Sequence, residues 1–145
     1  MLRSASTEDI PQLCALEAAT QLSPWPLETF EKCFQAQSHG WVIVSSENKI
    51  IGFIIVQMQM GECHILNLCV DPEHQHQGYG TQLLLTALTE AKQQGVVIAY
   101  LEVRRSNQKA INLYQKMGFS KVGERKNYYS AAEGLEDACV FARKL

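Results

Sequence analysis

The stretch Asp71-Pro72-Glu73-His74-Gln75-His76-Gln77-Gly78-Tyr79-Gly80-Thr81 separates two apolar segments of different period. Before it, residues 63–70 (CHILNLCV) read as a strand that Asp71-Pro72 ends. After it, residues 81–94 carry the clearest helical pattern in the chain, with Leu84, Leu85, Leu88 and Ala91 on one face and Gly95 at a C′ position. The first N–H groups of such a helix lack intrahelical acceptors and sit at the positive end of its dipole. Glycines permit positive φ and a close approach of backbone to a ligand. Strand, glycine loop and helix N-terminus, in that order, make a pyrophosphate cradle. A Walker loop is excluded, because Gly80 is followed by Thr81 with no lysine; the dinucleotide fingerprint fails at its third glycine, where Leu83 stands. The pattern that fits is Q/R-x-x-G-x-G/A, as Gln75-His76-Gln77-Gly78-Tyr79-Gly80, and the alternative is an ordinary glycine-rich turn.

Upstream of this loop the period is two. Residues 41–45 (WVIVS) and 49–60 (KIIGFIIVQMQM), punctuated by Glu47-Asn48, read as an antiparallel hairpin. Gly61-Glu62 turns the chain into the strand over 63–70, so the three make a meander. Earlier still, residues 2–5 suit a short strand, and Ser6 or Thr7 suits a helix N-cap with Glu8 and Asp9 in the first turn. Ile10, Leu13, Cys14 and Leu16, with Glu17 beside them, follow at helical spacing, and Ser23-Pro24-Trp25-Pro26 stops that helix. Residues 27–35 repeat the helical period with Leu27, Phe30, Glu31 and Phe34. Downstream, residues 96–103 (VVIAYLEV) are a near-continuous apolar run, as expected of a strand buried on both faces. Residues 106–117 predict a helix with Ala110, Leu113, Tyr114 and Met117 on one side, and residues 120–127 and 137–143 are the last two strands. The sum is a mixed α/β fold with about seven strands and helices on both faces, read as one domain over residues 1–145.

Composition narrows the function classes. The chain has 145 residues, 46% hydrophobic and 19% charged, which suits one continuous core. A net charge of −2 offers no footprint for a nucleic-acid polyanion. No apolar run approaches the roughly 18–20 residues of a membrane span, and Met1-Leu2-Arg3 leads into polar sequence without an export signal. The five cysteines (Cys14, Cys33, Cys63, Cys69 and Cys139) are odd in number and show no C-x-x-C pair, so they read as reduced thiols of a cytoplasmic protein.

Some side chains are out of place for a purely structural role. Glu102 lies near the end of the apolar strand, where a carboxylate must be paired, exposed at the sheet's end, or functional. A salt bridge to Arg104 or Arg105 is one reading and a catalytic role the other. Tyr114, on the inner stripe of its helix, is by residue type a core aromatic. Cys63, His64, Cys69, His74 and His76 match no standard zinc spacing, so no metal is expected. Cys69 has no histidine placed by sequence to activate it and reads as packing. Trp25, Tyr128 and Tyr129 suit either the wall of a peptide slot or ordinary aromatic packing, and Glu17 and Asp137 are candidate anchors for a cationic amine.

These stretches resemble the GCN5-related N-acetyltransferase (GNAT) superfamily, and within it the RimI group of bacterial ribosomal-protein alanine N-acetyltransferases. The resemblance runs through Asn67-Leu68-Cys69-Val70-Asp71-Pro72, Gln75 to Gly80, Leu101-Glu102-Val103-Arg104, Ser106-Asn107, Ala110-Ile111-Asn112-Leu113-Tyr114 and Gly118-Phe119. Arg125-Lys126-Asn127-Tyr128-Tyr129, Gly134, Glu136 and Asp137-Ala138 continue it, and Pro24-Trp25 matches near the start.

The resemblance implies acetyl-CoA as cosubstrate. Its pantetheine is expected to pair like a strand with Leu68, Cys69 and Val70. The pyrophosphate is expected on His76, Gln77, Gly78, Tyr79, Gly80 and Thr81, with Asn107 touching the cosubstrate. The family usually has Arg where His76 stands; that departure removes a fixed charge and is expected to weaken coenzyme affinity while the backbone cradle survives. The resemblance further implies Glu102 as general base, Tyr114 as general acid and the Val70 amide as the group that polarises the thioester carbonyl. The acceptor it implies is the N-terminal alanine of a small-subunit ribosomal protein, acetylated by a cytoplasmic monomer by direct amine attack, with no membrane or nucleic-acid partner. Two alternatives stay open: another amine, such as lysine or a small metabolite, and a non-catalytic acyl-CoA-binding module.

Overall fold

The alternating segments assemble into one seven-stranded sheet in the order β1-β2-β3-β4-β5-β7-β6. The computed structural model describes residues 1–131 and 134–145. Its elements are β1 (Leu2–Ser4), α1 (Ile10–Thr20), α2 (Leu27–Gln35), β2 (His39–Val44), β3 (Ile50–Gln59), β4 (Glu62–Val70), α3 (Tyr79–Gln93), β5 (Ile98–Arg104), α4 (Gln108–Lys116), β6 (Ser120–Ala131) and β7 (Gly134–Lys144). Strands β1 to β4 pair antiparallel with their neighbours. Helix α3 then carries the chain across to β5, which runs parallel to β4. The final hairpin folds back so that β7, not β6, pairs with β5.

Both faces of the sheet are covered, as the period change along the sequence requires. One face buries Leu83, Leu84, Ala87, Leu88 and Ala91 of α3, with Ile111 and Tyr114 of α4, against Ile54, Ile65, Leu101 and Phe141. The other buries Ile10, Leu13 and Leu16 of α1 and Phe30 of α2 against Val42, Phe53 and Ile55.

Several boundaries differ from the sequence reading, each for a local reason. Helix α3 begins at Tyr79 rather than Thr81, because Gly78 adopts φ 81° and caps it. Its buried stripe runs through Leu83 and Leu84, and Leu85 is 53% exposed, one residue past the arc that faces the sheet. Strand β5 is buried on one face only: Ala99, Leu101 and Val103 point into the core, whereas Val97, just before the strand, is 64% exposed. The opposite face of β5, with Tyr100, Glu102 and Arg104, is half-buried. The last hairpin is longer than expected, so Tyr128 and Tyr129 lie within β6. Strand β2 starts at His39, where pairing with Val56 of β3 extends it beyond its apolar run.

One irregularity positions everything that follows. The β3–β4 register shifts between Ile55, opposite Asn67, and Val56, opposite Ile65, leaving Leu66 as an extra residue. A bulge bends its strand and adds twist. The β4–β5 ladder stops at Ile65 and Leu101, immediately before that bulge. Beyond it the two strands part and open a cleft.

Candidate active site

The parted strands expose backbone on the β5 side of β4. Asp71 N–H donates to Ile51 O at 2.8 Å, so Asp71 and Ile51 face each other as a hydrogen-bonded pair. Antiparallel pairs alternate, which turns the N–H and C=O of Val70 and of Leu68 away from β3 and toward the cleft. The Val70 carbonyl accepts there from Gln75 Nε2 at 3.2 Å. Cys69 lies between them with its backbone toward Phe53 of β3 and its thiol in the core beside α1. Burial pushes that thiol up to about 12, which removes the thiolate a covalent acyl-cysteine route requires.

The glycine loop divides its labour. Gly78 sits at positive φ, and a Cβ there would meet nothing within 4 Å, so its surface is open. Gly80 is different: a Cβ would come within 3.3 Å of Leu113 Cδ2, so this glycine lets α3 pack closely on α4. His76 also adopts a left-handed φ of 65°, an uncommon conformation for a side-chain-bearing residue. The first intrahelical acceptor of α3 is Gly78 O, bonded by Gln82 N–H at 3.0 Å. The N–H groups of Tyr79, Gly80 and Thr81 therefore stand at the helix mouth without intrahelical partners. Lys109 Nζ donates to Gln75 Oε1 at 3.0 Å and brings a positive charge to this loop.

The cleft, about 140 Å³, is lined by Glu17, Trp25, Asn67, Glu102, Asn107 and Tyr114, among others. Glu102 has a side chain only 6% exposed. Its partner is neither Arg104 nor Arg105: His64 Nε2 lies 2.5 Å from Oε2, and Arg125 Nε lies 3.3 Å from Oε1. The His64 hydrogen bond outweighs burial and, with Arg125, holds the carboxyl below its ordinary value, so it is ionised near neutral pH. Arg104 instead pairs with Glu136 at 3.2 Å and reaches Ser23 Oγ at 2.9 Å, tying β5 to the loop after α1.

Tyr114 is 7% exposed, packs edge-on against Phe119, and its phenol is pushed well above its ordinary value by burial. Asn107 caps α4 by accepting from Ala110 N–H at 3.2 Å, which leaves its Nδ2 amide as the side chain's remaining donor group. Glu17 is 2% exposed and accepts from Trp25 N–H and Asn67 Nδ2, each at 3.0 Å. Trp25 and Tyr129 both line the cleft. Asp137 accepts from Asn127 N–H and Lys126 Nζ and belongs to the β6–β7 hairpin, away from the cleft wall. Among the described residues no group of three His, Cys, Asp or Glu side chains is placed to hold a metal ion.

The parallel crossover, the parted strands and the glycine-capped helix form a single assembly, and comparison with known proteins gives it a family. A profile of the Acetyltransferase (GNAT) family matches residues 6–119. The chain belongs to that family and is an N-acetyltransferase. It is 35% identical over 141 residues to the [ribosomal protein bS18]-alanine N-acetyltransferase of Escherichia coli K12, covering 97% of this chain and 95% of the relative. The protein of the same name from Salmonella typhimurium is 36% identical over 139 residues, covering 94% and 92%. The crystal structure of the ribosomal-protein-S18-alanine N-acetyltransferase from Escherichia coli superposes with a TM-score of 0.93 at 33% identity, over 99% of this chain and 92% of that one. Ard1 from Thermoplasma volcanium, at 22% identity and a TM-score of 0.88 over 100% and 97% of the two chains, shares the fold.

One partner of Glu102 escapes the sequence reading. The sequence presents His64 only as a candidate zinc ligand, and its partnership with Glu102 depends on a parallel register, His64 opposite Tyr100, that joins strands separated by a helix. Nothing in the local pattern of either strand signals that register.

Proposed function

We propose that this chain uses acetyl-CoA to acetylate the α-amino group of an N-terminal alanine on a small-subunit ribosomal protein in the cytoplasm, with Glu102 as general base and Tyr114 as general acid. The observation that carries the reading is an ionised, nearly buried Glu102 in a cleft that Asn67 and Leu68 also line, where β4 has parted from β5. The relatives' name supplies the acceptor class.

The residues present fit the cosubstrate. Leu68 and the Val70 N–H offer strand backbone turned away from β3 for its amides, and Gly78 leaves open surface beside the N–H groups of Tyr79, Gly80 and Thr81, which lack intrahelical partners, for its diphosphate. His76 and Gln77 complete the loop, Asn107 contributes Nδ2, and Cys69 serves by holding the strand from behind. Acetyl-CoA, when bound, supplies the acetyl group as a thioester.

Glu102 takes a proton from the amine, directly or through a water, so that nitrogen attacks as the neutral base. The Val70 N–H, turned into the cleft, stabilises negative charge on the carbonyl oxygen. Tyr114 donates its phenol hydrogen to the departing sulfur, and the second proton that the nitrogen sheds as the amide forms restores the phenol. Burial makes the phenol a reluctant acid, but a thiolate in the same dry wall is raised too, and a hydrogen bond from the phenol stabilises it from the outset.

The electrostatics favour an α-amine over lysine. A carboxylate held below its ordinary value is a weak base, and an α-amine at about 8 is roughly 2.4 pKa units, or about 3 kcal/mol, easier to deprotonate than lysine at about 10.4.

Mass spectrometry of an acetyl-CoA reaction with alanine-starting hexapeptides tests the reading, run beside an Nα-blocked, lysine-containing peptide and a Glu102→Gln variant. Acetylation confined to the free α-amine and lost in the variant is the expected result. Transfer to lysine with equal efficiency would replace the acceptor, and coenzyme binding without transfer to any peptide would remove the ribosomal assignment.

A further inference from the structure

Glu102, on the cleft wall, is joined to His64 by the shortest ion pair among the described residues. They come from neighbouring parallel strands, with His64 opposite Tyr100 one rung before the ladder ends. The imidazole stacks on Tyr100, with centroids 4.5 Å apart and planes 17° from parallel, which fixes the ring's direction. Nε2 then meets Glu102 Oε2 at 2.5 Å. Two lone pairs at that distance would repel, so a proton lies between them. The charge of the pair therefore depends on the other ring nitrogen, Nδ1. With Nδ1 protonated, an imidazolium neutralises the carboxylate. With Nδ1 bare, the pair carries one negative charge and the carboxylate is free to accept a proton.

We infer that His64 and Glu102 work as one unit, in which Glu102 meets the acceptor amine and His64, as a positioning residue, sets whether that carboxylate is available. The inference rests on the reading of Glu102 as the base. In the step itself an amine N–H bond breaks as an O–H bond forms on Glu102, and that proton is lost to water after the product leaves. His64 gains and loses nothing over the cycle.

The surroundings contain a limited set of other charges. Arg125 of β6 faces Oε1 at 3.3 Å and carries a permanent charge. Tyr100 lies under the ring, Glu62 precedes His64 by two residues on β4, and Tyr129 of β6 approaches Glu102 from the hairpin. Tyr100 and Tyr129 are phenols whose ionisation is pushed upward, so neither titrates where an imidazole does.

Because interacting groups titrate as a pair, the test must read both partners. The pH dependence of kcat at saturating substrates would be measured for the wild type, His64→Gln and Glu102→Gln. NMR of the labelled histidine ring would follow His64 in the wild type and in Glu102→Gln. The glutamine in His64→Gln keeps a neutral donor toward Oε2 but cannot titrate. In the wild type, kcat is expected to fall about tenfold per pH unit on the acid side of whatever midpoint NMR gives for His64. In His64→Gln that limb disappears down to about pH 5, with a plateau within roughly tenfold of the wild type. An unchanged limb in folded His64→Gln, or a wild-type limb that departs from the His64 midpoint, overturns the inference while leaving Glu102 as the base. If His64→Gln does not fold, the NMR arm decides: a midpoint that does not move in Glu102→Gln shows that the two are uncoupled. Retention of wild-type kcat in Glu102→Gln would instead overturn the reading of Glu102 itself.

Discussion

Two glutamates line the same cleft, and they have opposite protonation behaviour. Glu17, on α1, is held by neutral donors alone, the Trp25 N–H and the Asn67 amide, and its Oε1 is buried without a partner. Burial dominates, and its carboxyl is raised above the ordinary value. Glu102, on β5, is less deeply buried and is met by His64 and Arg125, and its carboxyl is lowered. The same residue type thus leads to different chemistry, because Glu102 is less desolvated and a charged donor compensates what desolvation remains, whereas an amide does so only in part. Glu17 braces the wall formed by Trp25 and Asn67, and Glu102 is the group suited to receive a proton.

The largest expected effect tests the second half of that contrast. Glu102→Gln should lower kcat by about 10²–10⁴-fold, measured by steady-state kinetics, and lower the melting temperature as well near neutral pH, measured by calorimetry, because His64 and Arg125 lose their anionic partner. A fall of less than tenfold would erase the distinction. Tyr114→Phe comes next: kcat is expected to drop by roughly 10²-fold while the fold is kept, since only the hydroxyl is removed from a packed ring. If kcat is unaffected, Tyr114 is a core aromatic and nothing more.

Glu17→Ala probes the structural half. It leaves the Trp25 N–H and the Asn67 amide without their acceptor, at about 1–3 kcal/mol each, so melting should fall by roughly 6–18 °C. The smallest effect is the most diagnostic. A raised folded-state pKa means that the folded protein binds the Glu17 proton more tightly than the unfolded chain does. Stability from this group is therefore full at low pH and declines as pH rises from the ordinary carboxylate range through the folded value. Glu17→Gln does not titrate, so its melting temperature relative to the wild type should rise as pH increases from the ordinary carboxylate range upward. A relative change of the opposite sign would place Glu17 with Glu102 as a stabilised anion.

The contrast also marks what was legible beforehand. A carboxylate in the run Tyr100-Leu101-Glu102-Val103 stands out in one dimension, and the resemblance assigns it a role. Its partners do not stand out: Arg104 and Arg105 are adjacent in sequence, yet Arg104 turns to Glu136 and Arg105 lies 4.0 Å from Asp137. Glu102 and Arg104 share a face of β5, yet Arg104 is drawn to Glu136 and Ser23 on other segments, so sequence proximity is a poor guide to pairing there. The apparent two-sided burial of β5 misleads for a related reason. A run of apolar letters does not reveal that one face looks into a cleft.

From the residues alone came the change of period at Asp71, the meander before it, the crossover after it, and the glycine-loop pattern at Gln75 to Gly80. These are local properties, decided by side-chain alternation, helix ends and the conformational freedom of glycine. The different tasks of Gly78 and Gly80, the bulge at Leu66, the parting of β4 from β5 and the meeting of His64 with Glu102 were decided by tertiary structure. Each requires two segments distant in the chain to settle into one register, and the register of a parallel pair joined through a helix is set by how the whole sheet packs.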